Sequence, residues 1–288
     1  MDVFSSTTQV QHQRIQVNGL FLGVTQYRPT AGVRSTLVLL HGFTGSADDW
    51  APLASALSTS AIRIIALDLI GHGDSDAPLD AQRYTLEYCQ ADILAVLQML
   101  GVKPGEAILL GYSMGGRVAL YTAFSNYFRA LILESASPGL ETELEREQRR
   151  RSDEALATRI EHDGVEAFVD YWERLPLFAT QQRLPEEQRA SQRHQRLHNN
   201  ATGLANSLRG MGTGVQPPLH GRLAELTIPV LLIAGELDSK FRAINQQMAG
   251  SLPLARLQIV AGAGHNVHFE RPEVFAQLVR DFCESPVQ

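Results

Sequence analysis

Lysine is almost missing from this chain of 288 residues: Lys103 and Lys240 stand against 23 arginines, and the formal net charge is −6. A surface with few cations and an acidic balance does not suit general attraction to nucleic acid or to an anionic membrane, and leaves only local arginine sites. Arginine grips carboxylates and phosphates through two parallel hydrogen bonds, so sites of that kind would serve anions. Cysteine is as scarce. Cys89 and Cys283 lie far apart in helix-like segments, without the spacing of a metal site or a disulfide framework, which points to core positions in a reducing compartment. No apolar run has the length of a bilayer span, so no membrane insertion is expected. Residues 1–17 read as a polar lead-in, frayed over Met1 to Arg14 and lacking the apolar stretch of a secretory signal, which makes a cytoplasmic protein the expectation. Also absent are a His-Glu-x-x-His motif, a cysteine pair at zinc spacing and a glycine-rich phosphate loop after the first strand. Neither a metal nor another cofactor is expected.

What is present is a succession of short apolar runs, each followed by turn residues: Thr36 to Leu40, Ile62 to Leu67, Ala107 to Leu110, Ala130 to Leu133, Pro229 to Ala234 and Leu257 to Val260. Continuous runs of this kind suit strands buried on both faces of a parallel sheet. Helical stretches lie between them, the clearest being Thr85 to Leu100, with Ile93, Leu94, Leu97 and Leu100 on one face. The alternation predicts a doubly wound, mostly parallel α/β sheet in one domain, with its core in residues 18–135 and 213–288. It is interrupted over 136–212, a charged stretch punctuated by Pro138, Pro176 and Pro185, which reads as several short helices forming a lid over one end of the sheet.

Residues 107 to 116 carry the strongest local signal. A buried strand runs into Gly111-Tyr112-Ser113-Met114-Gly115, where two glycines allow a tight turn and leave the Ser113 hydroxyl at its apex. An activated serine needs a base and an acid that orients it. Asp238 follows the run ending at Ala234, and His265 follows the run ending at Val260; Ser, Asp and His in that order match the α/β-hydrolase fold. Glu134, at the end of another run, is a rival for the acid. The N–H groups of Met114, at the start of the helix after Ser113, and of Phe43, in His41-Gly42-Phe43, are placed to form an oxyanion hole. His41 and Asp68 read as loop-shaping residues. Arg117, one helical turn after Ser113, can lean back toward it. Within 141–212 there are 11 Arg and 13 Asp plus Glu, so most lid arginines read as solvated members of surface pairs. Trp172 reads as lid core or as an apolar wall for a ring.

Taken together, Gly111-Tyr112-Ser113-Met114-Gly115-Gly116-Arg117, Ser137-Pro138-Gly139-Leu140, Arg151-Ser152-Asp153, Gly235 to Phe241 and Gly264-His265-Asn266-Val267-His268 give a wider likeness. The chain resembles the 2-succinyl-6-hydroxy-2,4-cyclohexadiene-1-carboxylate synthase family of menaquinone and phylloquinone biosynthesis, from about Leu37 to Phe282 and through the lid. The resemblance implies a lyase that removes pyruvate from a small polycarboxylate, with Ser113, Asp238 and His265 as its catalytic residues and no water consumed. It implies substrate contacts from Tyr112, Arg117, Arg149, Arg196 and Trp172, with Arg150 and Arg151 beside Arg149, and Tyr171 beside Trp172, as near rivals. A serine hydrolase needs the same triad, and Arg117 is the feature that separates the two. A non-catalytic module on this fold would have no use for the triad.

Overall fold

The computed structural model describes residues 8–30 and 32–284. Eight strands form one sheet in the order β1-β2-β4-β3-β5-β6-β7-β8. These are β1 (Thr8–Val17), β2 (Leu20–Pro29), β3 (Ser35–Leu40), β4 (Ile62–Leu67), β5 (Ala107–Tyr112), β6 (Ala130–Glu134), β7 (Val230–Gly235) and β8 (Ala255–Val260). From β4 to β8 every neighbour is parallel, while β1 and β2 form an antiparallel edge. Central strands such as β3 and β5 are buried along their whole length, since helices cover both faces, and an unbroken apolar run is what such a position requires. The helices flanking the sheet are α1 (Ala51–Ala56), α2 (Leu86–Met99), α3 (Met114–Ala123), α7 (Ser239–Ser251), α8 (Val267–Glu270) and α9 (Pro272–Glu284). Cys89 and Cys283 are buried in α2 and α9. Among the described residues no helix is long and apolar enough to cross a membrane.

Two expectations need correction. The polar lead-in is not frayed over its described part: residues 8–17 are the edge strand β1, joined to β2 by Asn18-Gly19, both with positive φ. Residues 1–7 lie outside the described residues. The strand escaped a reading by polarity because its outer half is exposed on the sheet edge, and only Ile15 and Val17 alternate inward. Asn-Gly is the residue pair that a two-residue hairpin turn prefers, and Ile15, Val17, Leu20 and Leu22 alternate around it, so the signal was available.

The lid also differs from several short helices. It begins with α4 (Glu143–Trp172), a segment of 30 residues broken only at Gly164, whose φ of 82° and ψ of 171° are non-helical. Thr142 and Glu145 close its start in a reciprocal capping box, and no proline follows before Pro176. A 3-10 turn (Pro176–Arg183), α5 (Glu186–Leu197) and α6 (Ala201–Met211) complete the lid. Ala157, Ile160, Phe168 and Val169 of α4 pack with Leu204, Ala205 and Leu208 of α6 in a small core, against which Phe43 of the sheet-end loop also packs.

Candidate active site

Each chemically competent side chain stands just past a parallel strand. After β5 the backbone turns so sharply that Ser113 takes φ 50° and ψ −106°, a conformation that costs a non-glycine residue energy and persists only where its surroundings enforce it. The enforcement is visible at two glycines. A Cβ on Gly111 would stand 2.2 Å from the Gly115 carbonyl oxygen, and one on Gly115 would stand 2.3 Å from those of Leu40 and His41. Strand, turn and helix therefore meet at backbone contact, and the hydroxyl is left facing outward.

His265 reaches Ser113 from the loop after β8. The Ser113 Oγ–H donates to His265 Nε2 at 2.9 Å, and His265 Nδ1–H donates to Asp238 Oδ2 at 2.7 Å. The other carboxylate oxygen of Asp238 accepts the N–H of Phe241 at 3.1 Å, so the acid also caps α7 and cannot rotate freely. His265 is buried, walled by the rings of Phe241 at 4.5 Å, Tyr112 at 5.5 Å and Phe178 at 6.3 Å between centroids. Glu134, the rival acid, is committed elsewhere: its two oxygens take the backbone N–H and Nδ1 of His268, at 3.0 and 2.7 Å.

Phe43 and Met114 both line the cavity at Ser113, and neither backbone N–H donates to another backbone carbonyl among the described residues. The loop carrying Phe43 is shaped by His41, whose Nε2 accepts the Leu69 N–H at 3.0 Å while Nδ1–H donates to the Gly42 carbonyl at 2.7 Å. Burial above all, and then the neighbouring His72, lower its pKa to about 3. An imidazole held neutral in this way stabilises the fold above the unfolded-state value of about 6.5, and the contribution is lost as pH falls from there toward 3. An NMR titration is expected to leave the His41 ring resonances unshifted from pH 7 to about pH 4. Protonation near pH 6 would show that the loop does not exclude water. Asp68 acts in a similar structural way, accepting the backbone N–H groups of Ala47 and Asp74.

The cavity over Ser113 has a volume of about 300 Å³ and is roofed by the lid. Arg117 is half-buried on its wall, where Nη1 donates to the Met211 carbonyl at 2.7 Å and to Gln216 Oε1 at 3.0 Å. No carboxylate bonds it among the described residues; burial first, and then Arg149, lower its pKa to about 10, so it remains a cation at neutral pH. Arg149 lines the same cavity and is steadied through Nε by Asp153 at 2.7 Å. Its neighbours turn away, Arg150 to Glu143 and Gly214, and Arg151 to Glu147. Trp172, packed on Phe43, Phe168 and Phe178, lines the cavity, as does Tyr112, whereas Tyr171 is exposed beneath the guanidinium of Arg159.

Arg196 does not join them. It is not among the cavity-lining residues, and is instead bonded to Glu173 at 3.2 Å with its guanidinium 5.3 Å from the centre of the Phe178 ring, which does line the cavity. Sequence spacing along α5 could not show which face of that helix turns inward. Conversely, Lys240 and Phe241 line the cavity, although only their place in the Gly235 to Phe241 motif hinted at it. Among the described residues no group of His, Cys, Asp and Glu is arranged to hold a metal.

The pattern of the alpha/beta hydrolase fold family matches residues 35–272. A Salmonella typhimurium protein named 2-succinyl-6-hydroxy-2,4-cyclohexadiene-1-carboxylate synthase is 33% identical, covering 88% of this chain and 98% of its own. A Bacillus subtilis protein provisionally given the same name is 47% identical, covering 93% and 96%. The chain belongs to this synthase family of α/β-hydrolase-fold enzymes. The solved structure of MenH from S. aureus is similar throughout, with a TM-score of 0.86, 35% identity, and coverage of 90% of this chain and 97% of that one. An enol-lactonase from Burkholderia xenovorans LB400, at a TM-score of 0.80 and 23% identity, shares the fold. Family membership thus agrees with the mostly parallel sheet and its helices.

Proposed function

We propose that the protein eliminates pyruvate from 2-succinyl-5-enolpyruvyl-6-hydroxy-3-cyclohexene-1-carboxylate, giving 2-succinyl-6-hydroxy-2,4-cyclohexadiene-1-carboxylate for menaquinone or phylloquinone synthesis. The observation that carries this reading is a relayed serine sharing its cavity with Arg117, a guanidinium that no carboxylate among the described residues bonds. A substrate with only an ester and an alkyl chain would leave that cation without an anionic partner, whereas a ring bearing three carboxylates supplies one. The names borne by the family members support the same choice.

The geometry supports the following chemistry. Ser113 passes its proton to His265 Nε2, and the Asp238 carboxylate stabilises the imidazolium. The serine oxygen then removes the ring C–H proton beside the succinyl ketone, acting as a base toward carbon. Negative charge moves to the ketone oxygen, where the N–H groups of Phe43 and Met114 hold it. As the dienolate collapses, the ring gains its second double bond and the C–O bond to the enolpyruvyl group breaks. The imidazolium returns the proton to the departing group, which becomes pyruvate. Tyr112 and Trp172 supply walls against the ring.

Diene absorbance and pyruvate are expected to appear in equal amounts, with no covalent adduct on Ser113 in the intact mass during turnover. An acyl or other adduct formed from this substrate would assign the chain to the serine hydrolases instead. Arg117→Ala and Arg149→Ala are each expected to lower kcat/KM by about 1.5 to 3 kcal/mol, since each leaves a carboxylate without a charge-assisted partner. Arg196→Ala, behind the cavity-lining Phe178 and bonded to Glu173, is expected to lower the melting temperature more than it alters KM. Unaltered kinetics in both the 117 and 149 variants would remove the carboxylate clamp from the mechanism.

A further inference from the structure

Because arginine carries nearly all of the positive charge, the positions of the two lysines are informative. Lys103 stands in an exposed turn after α2, where its backbone N–H donates to Glu106 Oε2 at 2.9 Å. Lys240 stands on the wall of the Ser113 cavity, two residues after Asp238 in the first turn of α7. The residue is exposed, which puts its ammonium at the cavity mouth. Its Nζ lies 5.7 Å from the centre of the Phe241 ring, and that ring packs against His265. No carboxylate pairs with Lys240 among the described residues. It therefore approaches from the β7–α7 side, while Arg117 and Arg149 approach from α3 and α4.

The proposed substrate carries three carboxylates. Arg117 and Arg149 account for two, and Arg196 is taken by Glu173 outside the cavity. We infer that Lys240 binds the remaining carboxylate at the mouth of the cavity and so helps to select a tricarboxylate over smaller acids. The inference rests on the lyase reading above. A lysine suits the place: its ammonium is a compact, well-hydrated charge on a flexible stem, able to follow an anion in a wet rim where the planar fork of arginine has less to match. A cation at the rim acts on substrate in the ground state and transition state alike, so it governs KM and the salt dependence of kcat/KM more than kcat.

Two measurements test this on the full chain. In steady-state kinetics Lys240→Ala and Lys240→Gln are expected to raise KM about tenfold with kcat within about twofold, and Lys240→Arg to recover most of the loss. Wild-type pyruvate release tests the lyase reading by itself, and the ratio of variant to wild type tests Lys240, so the two failures are distinguishable. The second measurement uses the shortage of lysine directly. Labelling with an amine-reactive acetylating reagent, read by peptide mass spectrometry, is expected to be slowed at Lys240 by saturating diene product together with saturating pyruvate, which between them carry all three carboxylates, and unchanged at Lys103, which serves as the internal reference. Equal labelling with and without the two products, an unchanged KM, a loss confined to kcat, or an arginine variant no better than alanine would each overturn the inference. Melting temperatures within a few degrees of wild type show that the Asp238 cap beside it survives the substitutions.

Discussion

Ser113→Ala is expected to lower kcat for joint diene and pyruvate formation by about 10³-fold while KM changes little, the size of effect that a positioned general base supplies. The hydroxyl is the last member of a relay with bonds of 2.7 and 2.9 Å, in which His265 is flanked by Tyr112, Phe178 and Phe241 and bonded through Nε2 to the serine, so in the proposed mechanism the serine oxygen meets the ring proton. Removing the serine deletes the base but leaves the arginines and the aromatic walls, so binding persists. Members of such a relay act as a unit. Ser113→Ala combined with His265→Ala is therefore expected to cost little more than either change alone. A full multiplication of the two losses would show that serine and histidine serve separate steps. Retention of a tenth or more of wild-type kcat by Ser113→Ala would exclude the serine as the base.

The second large effect is expected at Gly42→Ala, a residue with no side chain and no chemistry of its own. A Cβ there would stand 2.7 Å from two ring carbons of Tyr112, a distance that cannot be tolerated. Tyr112 is buried against His265 and His268, so the ring has little room and the loop must give way, carrying the Phe43 N–H with it. Loss of one oxyanion donor typically costs about 10²- to 10³-fold in kcat, and that is the expected range, with KM and melting temperature much less affected. A kcat within about threefold of wild type would show that the Phe43 N–H does not hold the developing charge.

The strands β5 and β7, and with them the positions of Ser113 and Asp238, were legible because burial on both faces writes itself as unbroken apolar runs, and each of these side chains follows such a run; His265 follows β8, an edge strand in which only Val260 is buried, and was marked by its place after that shorter run. The opposite edge was not legible. Strand β1 leaves Gln9, Val10, Gln11 and His12 exposed, and a half-solvated strand has no continuous apolar signature; its clearest trace was the Asn18-Gly19 turn. Of the residues that the family resemblance singled out, Arg117, Arg149, Tyr112 and Trp172 line one cavity, whereas Arg196 bonds Glu173 and is not among its lining residues. That position sits on α5, whose arginines Arg193 and Arg196 both bond Glu173, and only packing decides which cation faces in. Lys240 left no periodicity to read, since a single polar residue in a first helical turn is compatible with any orientation.

Phe43 serves two neighbours at once. Its ring lies 5.3 Å from Trp172 and 6.0 Å from Phe168, both in the roof, while its amide is one of the two donors proposed for the ketone oxygen. On that proposal, ligand admission and polarisation of the ketone are tied to one residue. Enlarging the roof to admit a bulkier acid would loosen the seat of that amide, so broader substrate scope and turnover cannot be improved independently from this side of the chamber.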